Sequence, residues 1–81
     1  MRVLIVEDEE RLARVIRDGL AENGVQADIE ADGEAGLWRA QEAPYDVIVL
    51  DIMLPKLNGY QVCEQLRSAG VWTPILMLTA K

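Results

Sequence analysis

The sequence predicts an α/β domain built on a parallel sheet, and three observations predict it. Val3-Leu4-Ile5-Val6 and Val47-Ile48-Val49-Leu50 are apolar at every position, as strands covered on both faces must be. Stretches of helical periodicity separate the apolar runs, so strands and helices alternate along the chain. Acids stand directly after both runs, Glu7 and Asp8 after the first and Asp51 after the second. Ligands of open parallel sheets bind outside the carboxyl ends of the strands, which is where these acids fall.

The first strand runs from Arg2 to Val6. A helix follows from about Glu9 to Asn23, with Leu12, Ile16 and Leu20 at i+4 spacing and Val15 beside them. Glu9 and Glu10 occupy its first turn, where acids complement the helix dipole, and Asn23-Gly24 ends it. Val25, Ala27, Ile29 and Ala31 then alternate with polar Gln26, Asp28 and Glu30, which predicts a strand with one wet face, at the sheet edge. Asp32-Gly33 starts a second helix bearing Leu37, Trp38 and Ala40, closed by Pro44; Trp38 reads as a packing or half-exposed residue. The third strand spans Asp46 to Leu50. Residues 51–59 form a long loop for so small a chain, and such loops tend to carry function. A third helix from about Tyr60 to Ala69 turns Val62, Cys63 and Leu66 inward, and Gly70 ends it. Thr73-Pro74 leads into a fourth strand, Ile75 to Leu78, with Thr79 at its carboxyl end. A hydroxyl there can donate to a phosphoryl oxygen, or serve only as a good strand residue.

At 81 residues the chain is one small domain at most, and such a domain buries only about 60% of its unfolded surface. The 51% hydrophobic content is that of a globular core. A net charge of −6 and a pI near 4.4 disfavour contact with nucleic acid or an anionic membrane and favour a basic partner surface. Leu4-Ile5-Val6 runs straight into Glu7-Asp8, unlike a signal peptide, and no apolar run approaches the ~20 residues of a membrane span; the expected location is cytoplasmic. A single Cys63 builds no disulfide framework and reads as buried filler.

If the first and third strands pair in parallel, about 4.8 Å apart, their terminal carboxylates converge. Charges so close must protonate or share a cation. Carboxylate oxygens without histidine suit magnesium, manganese or calcium better than zinc or copper, and magnesium best, since it binds through one or two carboxylates plus waters and phosphate oxygens. A carboxylate beside such an ion can attack phosphorus, which would place an acyl phosphate on Asp51. The plainer reading, acids that only cap helices, fits Glu9 and Glu10.

Val6-Glu7-Asp8 after the first strand, Asp51-Ile52-Met53-Leu54-Pro55 with Gly59 after the third, and Leu78-Thr79-Ala80 after the fourth together resemble the receiver domain of bacterial two-component response regulators. The resemblance covers the whole chain and is closest to the branch whose receivers precede a winged-helix DNA-binding domain. It implies a flavodoxin-like (CheY-like) sheet in the order 2-1-3-4, part of the family's 2-1-3-4-5. It also implies that Asp51 accepts a phosphoryl group from a histidine kinase or phosphotransfer protein. Glu7, Asp8, Asp51 and the backbone carbonyl of Met53 would surround Mg2+, and Thr79 would bond the phosphoryl group and act as a switch. Pro55 and Gly59 shape the loop, while Lys56 reads as a solvated surface lysine. Such a domain is a phosphoacceptor rather than an enzyme.

Family members continue with a fourth helix, a fifth strand ending in a phosphate-binding lysine, and a fifth helix. Residues 1–81 are therefore expected to form a partial receiver domain, and Lys81 does not match that lysine. The bare edge of the fourth strand, together with the first helix, is expected to make a homo-oligomer. Any DNA contact would belong to another domain of the parent protein. Two rivals stand beside this reading. One is a truncated or engineered receiver fragment that assembles as a scaffold without efficient phosphotransfer. The other is a magnesium-dependent phosphatase of the haloacid dehalogenase type, whose Asp-x-Asp pattern is not matched by Asp51-Ile52-Met53.

Overall fold

The computed structural model of the chain describes residues 1–78. Along it run β1 (Arg2–Val6), α1 (Glu10–Ala21), β2 (Gln26–Glu30), α2 (Gly33–Glu42), β3 (Val47–Asp51), α3 (Gly59–Ser68) and β4 (Ile75–Leu78). All strand pairs are parallel and the order is β2-β1-β3-β4, the flavodoxin-like arrangement expected from the sequence. Val6 lies opposite Leu50 across β1 and β3, so Glu7 and Asp51, one residue further along each strand, end level with each other.

Alternate residues of the two central strands feed two cores. Leu4, Val6, Ile48 and Leu50 pack with Ala40 of α2 and with Val62 and Leu66 of α3 on one face. Val3, Ile5 and Val49 pack with Ala13 of α1 on the other. Burial on both faces is what made these strands apolar at every position. Among the described residues α1 lies over β1 and β2, which leaves Leu76 of β4 exposed on the same face, beside Val49.

Several boundaries and burials differ from the sequence reading. The first helix is shorter at both ends, because Glu9 keeps an extended backbone and the chain turns at residues 22–24. Its innermost residue is Ala13, fully buried, whereas Val15 is 63% exposed; a methyl side chain lets α1 approach the sheet closely. Trp38 is exposed on the outside of α2, and Cys63 is half-buried rather than buried. The expected wet face of β2, which does form a sheet edge, is half-covered. Arg39 Nη2 reaches Glu30 Oε2 at 2.6 Å, and Asp28 Oδ2 accepts from Tyr45 Oη at 2.5 Å and from Arg2 Nη2 at 3.0 Å. Helix α2 and the turn after it bring Arg39 and Tyr45 over this strand. β3 includes Asp51, which makes that acid the last rung of the sheet rather than the first residue of the loop.

Candidate metal centre

Parallel pairing in register delivers three carboxylates to one place. One oxygen from each of Glu7, Asp8 and Asp51 lies within 4.8 Å of the others. Glu7 and Asp51 are each 1% exposed, while Asp8 is open to solvent, so the cluster has a dry floor and a wet mouth. The backbone braces both buried acids. The Glu7 amide donates to the Glu30 carbonyl at 3.0 Å, Glu7 Oε2 accepts from the Glu9 N–H at 3.1 Å, and Asp51 Oδ1 accepts from the Met53 N–H at 3.2 Å.

The remaining oxygen of Glu7, Oε1, is buried with no hydrogen-bond partner among the described residues. Burial pushes the Glu7 carboxyl from its ordinary 4.5 up to about 7; the Glu9 amide opposes this, and neighbouring Asp51 and Asp8 add to it. A buried, unsatisfied acceptor and crowded acids are costly unless a proton or a cation joins them. The donors are all carboxylate oxygens, so the set fits a hard divalent cation such as Mg2+.

The segment after β3 is folded tightly back on the site. Ile52 donates to the Leu78 carbonyl at 3.3 Å, and Gly59 donates to the Ile52 carbonyl at 2.9 Å. A Cβ on Gly59 would stand 2.5 Å from the Asp51 carbonyl oxygen, so only glycine lets α3 begin this close to the strand end. Asn58 and Gln61 cap α3 reciprocally, each side chain accepting from the other's amide at 2.9 Å. The Met53 side chain is 65% exposed, and it is the Met53 amide that touches Asp51. Thr79 and Lys81 lie outside the described residues.

Two features escaped the sequence reading. The Met53 N–H to Asp51 bond follows from a tight turn at the strand end, where side chains commonly bond two residues on. Lys56 is exposed as expected, but its backbone has φ 71, in the region that favours glycine. The preceding Pro55, a turn-former, was the available signal.

An open parallel sheet that presents acids at the switch between β1 and β3 defines an α/β ligand-binding domain. Within that class, residues 3–81 match the response regulator receiver domain, and the chain belongs to this family. It is 49% identical over 80 residues to the transcriptional regulatory protein PcoR of Escherichia coli, covering 99% of this chain and 35% of PcoR. The chain thus spans about a third of that relative's length. Among solved structures, the receiver domain of the sensor histidine kinase PA1611 from Pseudomonas aeruginosa, which has a magnesium ion coordinated in its active site cleft, superposes with a TM-score of 0.91 at 34% identity. That match covers 99% of this chain and 67% of the other. The response regulator TrrA from Thermotoga maritima, in complex with Mg(2+)-BeF, gives 0.92 at 31% identity over 99% of this chain and 70% of TrrA.

Proposed function

We propose that Asp51 accepts a phosphoryl group from the phosphohistidine of a histidine kinase or phosphotransfer protein, with Mg2+ held by Glu7, Asp8, Asp51 and the backbone carbonyl of Met53. The observation that carries this is the convergence of the three carboxylates within 4.8 Å at the ends of β1 and β3. The magnesium in the PA1611 receiver, in a fold this similar, supports the choice of cation.

An Asp51 carboxylate oxygen attacks phosphorus in line. A P–O bond forms as the P–N bond to imidazole breaks, and the electron pair leaves on the ring nitrogen, which takes up a proton. Bound beside the carboxylate, the cation supplies positive charge against the phosphoryl oxygens. The Met53 N–H fixes Oδ1 and hence the plane of the nucleophile. Buried Glu7 lines the dry floor and, once its proton gives way to the cation, would contribute an anionic oxygen to it. Thr79 is assigned the hydroxyl that bonds the phosphoryl group and relays the change. The domain modifies itself at another protein's expense rather than turning over substrate, and it works inside the cell, where such kinases present phosphohistidine. Residues 1–81 form part of a larger receiver domain in this reading, supported by coverage of 67% and 70% of the solved chains.

A mass measurement after exposure to a small phosphodonor tests the assignment. One phosphoryl adduct is expected with Mg2+, removed by hydroxylamine and absent in Asp51→Asn. An adduct on Thr79, or one independent of Mg2+, would refute it. A second reading, a self-assembling scaffold, draws on the exposed Leu76 at the sheet edge and is distinguished by a folded, associated chain that takes no phosphoryl group.

A further inference from the structure

The loop that presents Met53 to Asp51 is seated against an element that contributes no carboxylate to the cluster, the first turn of α2. The Gly33 N–H donates to the Pro55 carbonyl at 3.1 Å. A Cβ on Gly33 would overlap the Leu57 carbonyl oxygen and come 2.7 Å from its carbonyl carbon. The obstacle is main chain, so trimming the Leu57 side chain makes no room. Asp32 bridges the same two segments: Oδ1 accepts from the Ala35 N–H at 2.8 Å, capping α2, and Oδ2 faces Lys56 Nζ at 3.7 Å.

Within the loop, the Leu57 N–H donates to the Pro55 carbonyl at 2.8 Å, closing a three-residue turn around Lys56 at φ 71. A turn of this hand is rare and strained for a residue with a side chain, and such strain persists only where the surroundings impose it. The Pro55 carbonyl takes both N–H groups, from Leu57 and from Gly33, so the strained turn and the helix end form one unit. The Lys56–Asp32 pair is long, with its lysine end exposed and its aspartate end half-buried, and holds little by itself.

We infer that Gly33 and Lys56 are positioning residues for the acidic site, Gly33 as the seat of the β3–α3 loop and Lys56 through its backbone conformation rather than its charge. The inference rests on the phosphoacceptor reading for what the site does, though not for how the loop is held.

Amide NMR of the 81-residue chain, without metal and then titrated with MgCl2, tests it. In Gly33→Ala the metal-free amides of Met53, Leu57 and Gly59 should shift and exchange faster, and Mg2+ affinity should fall about 10- to 100-fold, the range for residues that orient ligands. Gly36→Ala is the control. Its Cβ would meet the Val6 methyls at 2.7 and 2.8 Å, so it should lower stability while leaving the loop amides and the affinity of the folded chain unchanged. Lys56→Gly and Lys56→Val both remove the ammonium, at a surface position where both fold. A backbone role separates them: the glycine variant binds Mg2+ as well as wild type or better, and the β-branched one about tenfold worse. Unmoved loop amides in folded Gly33→Ala, or Lys56 variants that weaken together, overturn the inference. Should Gly33→Ala not fold, the Lys56 pair decides. Wild type without Mg2+-dependent shifts sinks the phosphoacceptor reading, and the metal-free loop amides still decide the positioning role.

Discussion

Glu7 links the site to stability. Its carboxyl is raised from 4.5 to about 7, so between those values the folded chain holds a proton there that the unfolded chain has released. The folded state therefore binds more protons in that window, and stability falls as pH rises through it, by about 3 kcal/mol once Glu7 is fully ionised. A urea midpoint that drops from about pH 5 to about pH 8 in wild type is expected, with Glu7→Gln level over the same range and more stable at its upper end. If Glu7 is a ligand as proposed, saturating Mg2+ should cancel the drop, because a cation binds carboxylates in their ionised form. A wild-type midpoint that holds steady or climbs would mean Glu7 is ionised throughout. Asp51→Asn tests the same crowding from the other strand. It removes one charge, keeps Oδ1 as acceptor for the Met53 amide, and should raise the metal-free midpoint near pH 8 by the equivalent of about 1 kcal/mol.

The elements hold the site through their ends, and α3 shows how much a single cap does. Replacing Asn58 by Ala deletes one half of the reciprocal cap and should cost about 1 kcal/mol, seen as a lower urea midpoint with an unchanged slope; a cost indistinguishable from zero would mean water replaces the side chain. Elements of this kind differ in how openly the sequence displays them. β1 and β3 were legible because burial on both faces forces apolar residues at every position, and their parallel pairing carried Glu7 and Asp51 to the same level without further information. The Asp28–Tyr45 bond was not legible, since it joins residues 17 apart whose approach depends on how α2 packs. The same holds for Gly33. Asp32-Gly33 announces a helix start, and nothing local says that the Leu57 carbonyl will rest against it. Ala13 was passed over beside larger neighbours, although the closest contact on a helix often belongs to its smallest apolar residue.

At the scale of the whole molecule, the two sheet edges are unlike. Among the described residues neither β2 nor β4 has a strand on its outer side, but β2 carries the charged Arg39–Glu30 and Arg2–Asp28 pairs with Tyr45, whereas β4 is Ile75-Leu76-Met77-Leu78. A parallel strand with free amides and carbonyls along one side recruits another strand. Leu76 is 58% exposed on the face shared with α1, so an apolar side chain stands on the β4 edge strand. The simplest closed arrangement is a two-fold pairing of β4 with β4 of a second copy, antiparallel by symmetry. Charge works against it: each chain carries −6, and that repulsion is felt across the interface until salt screens it. Two opposing terms give a salt-dependent equilibrium, which distinguishes this association from an electrostatic one. Sedimentation of the 81-residue chain should show a dimer whose dissociation constant falls as NaCl is raised from low concentration to about 0.5 M, where the Debye length is only a few ångströms. Leu76→Lys, which places a charge on the edge, should return the chain to monomer with little loss of stability. A monomer at every salt concentration, or a Leu76→Lys variant that dimerises as well as wild type, would locate the association elsewhere or remove it.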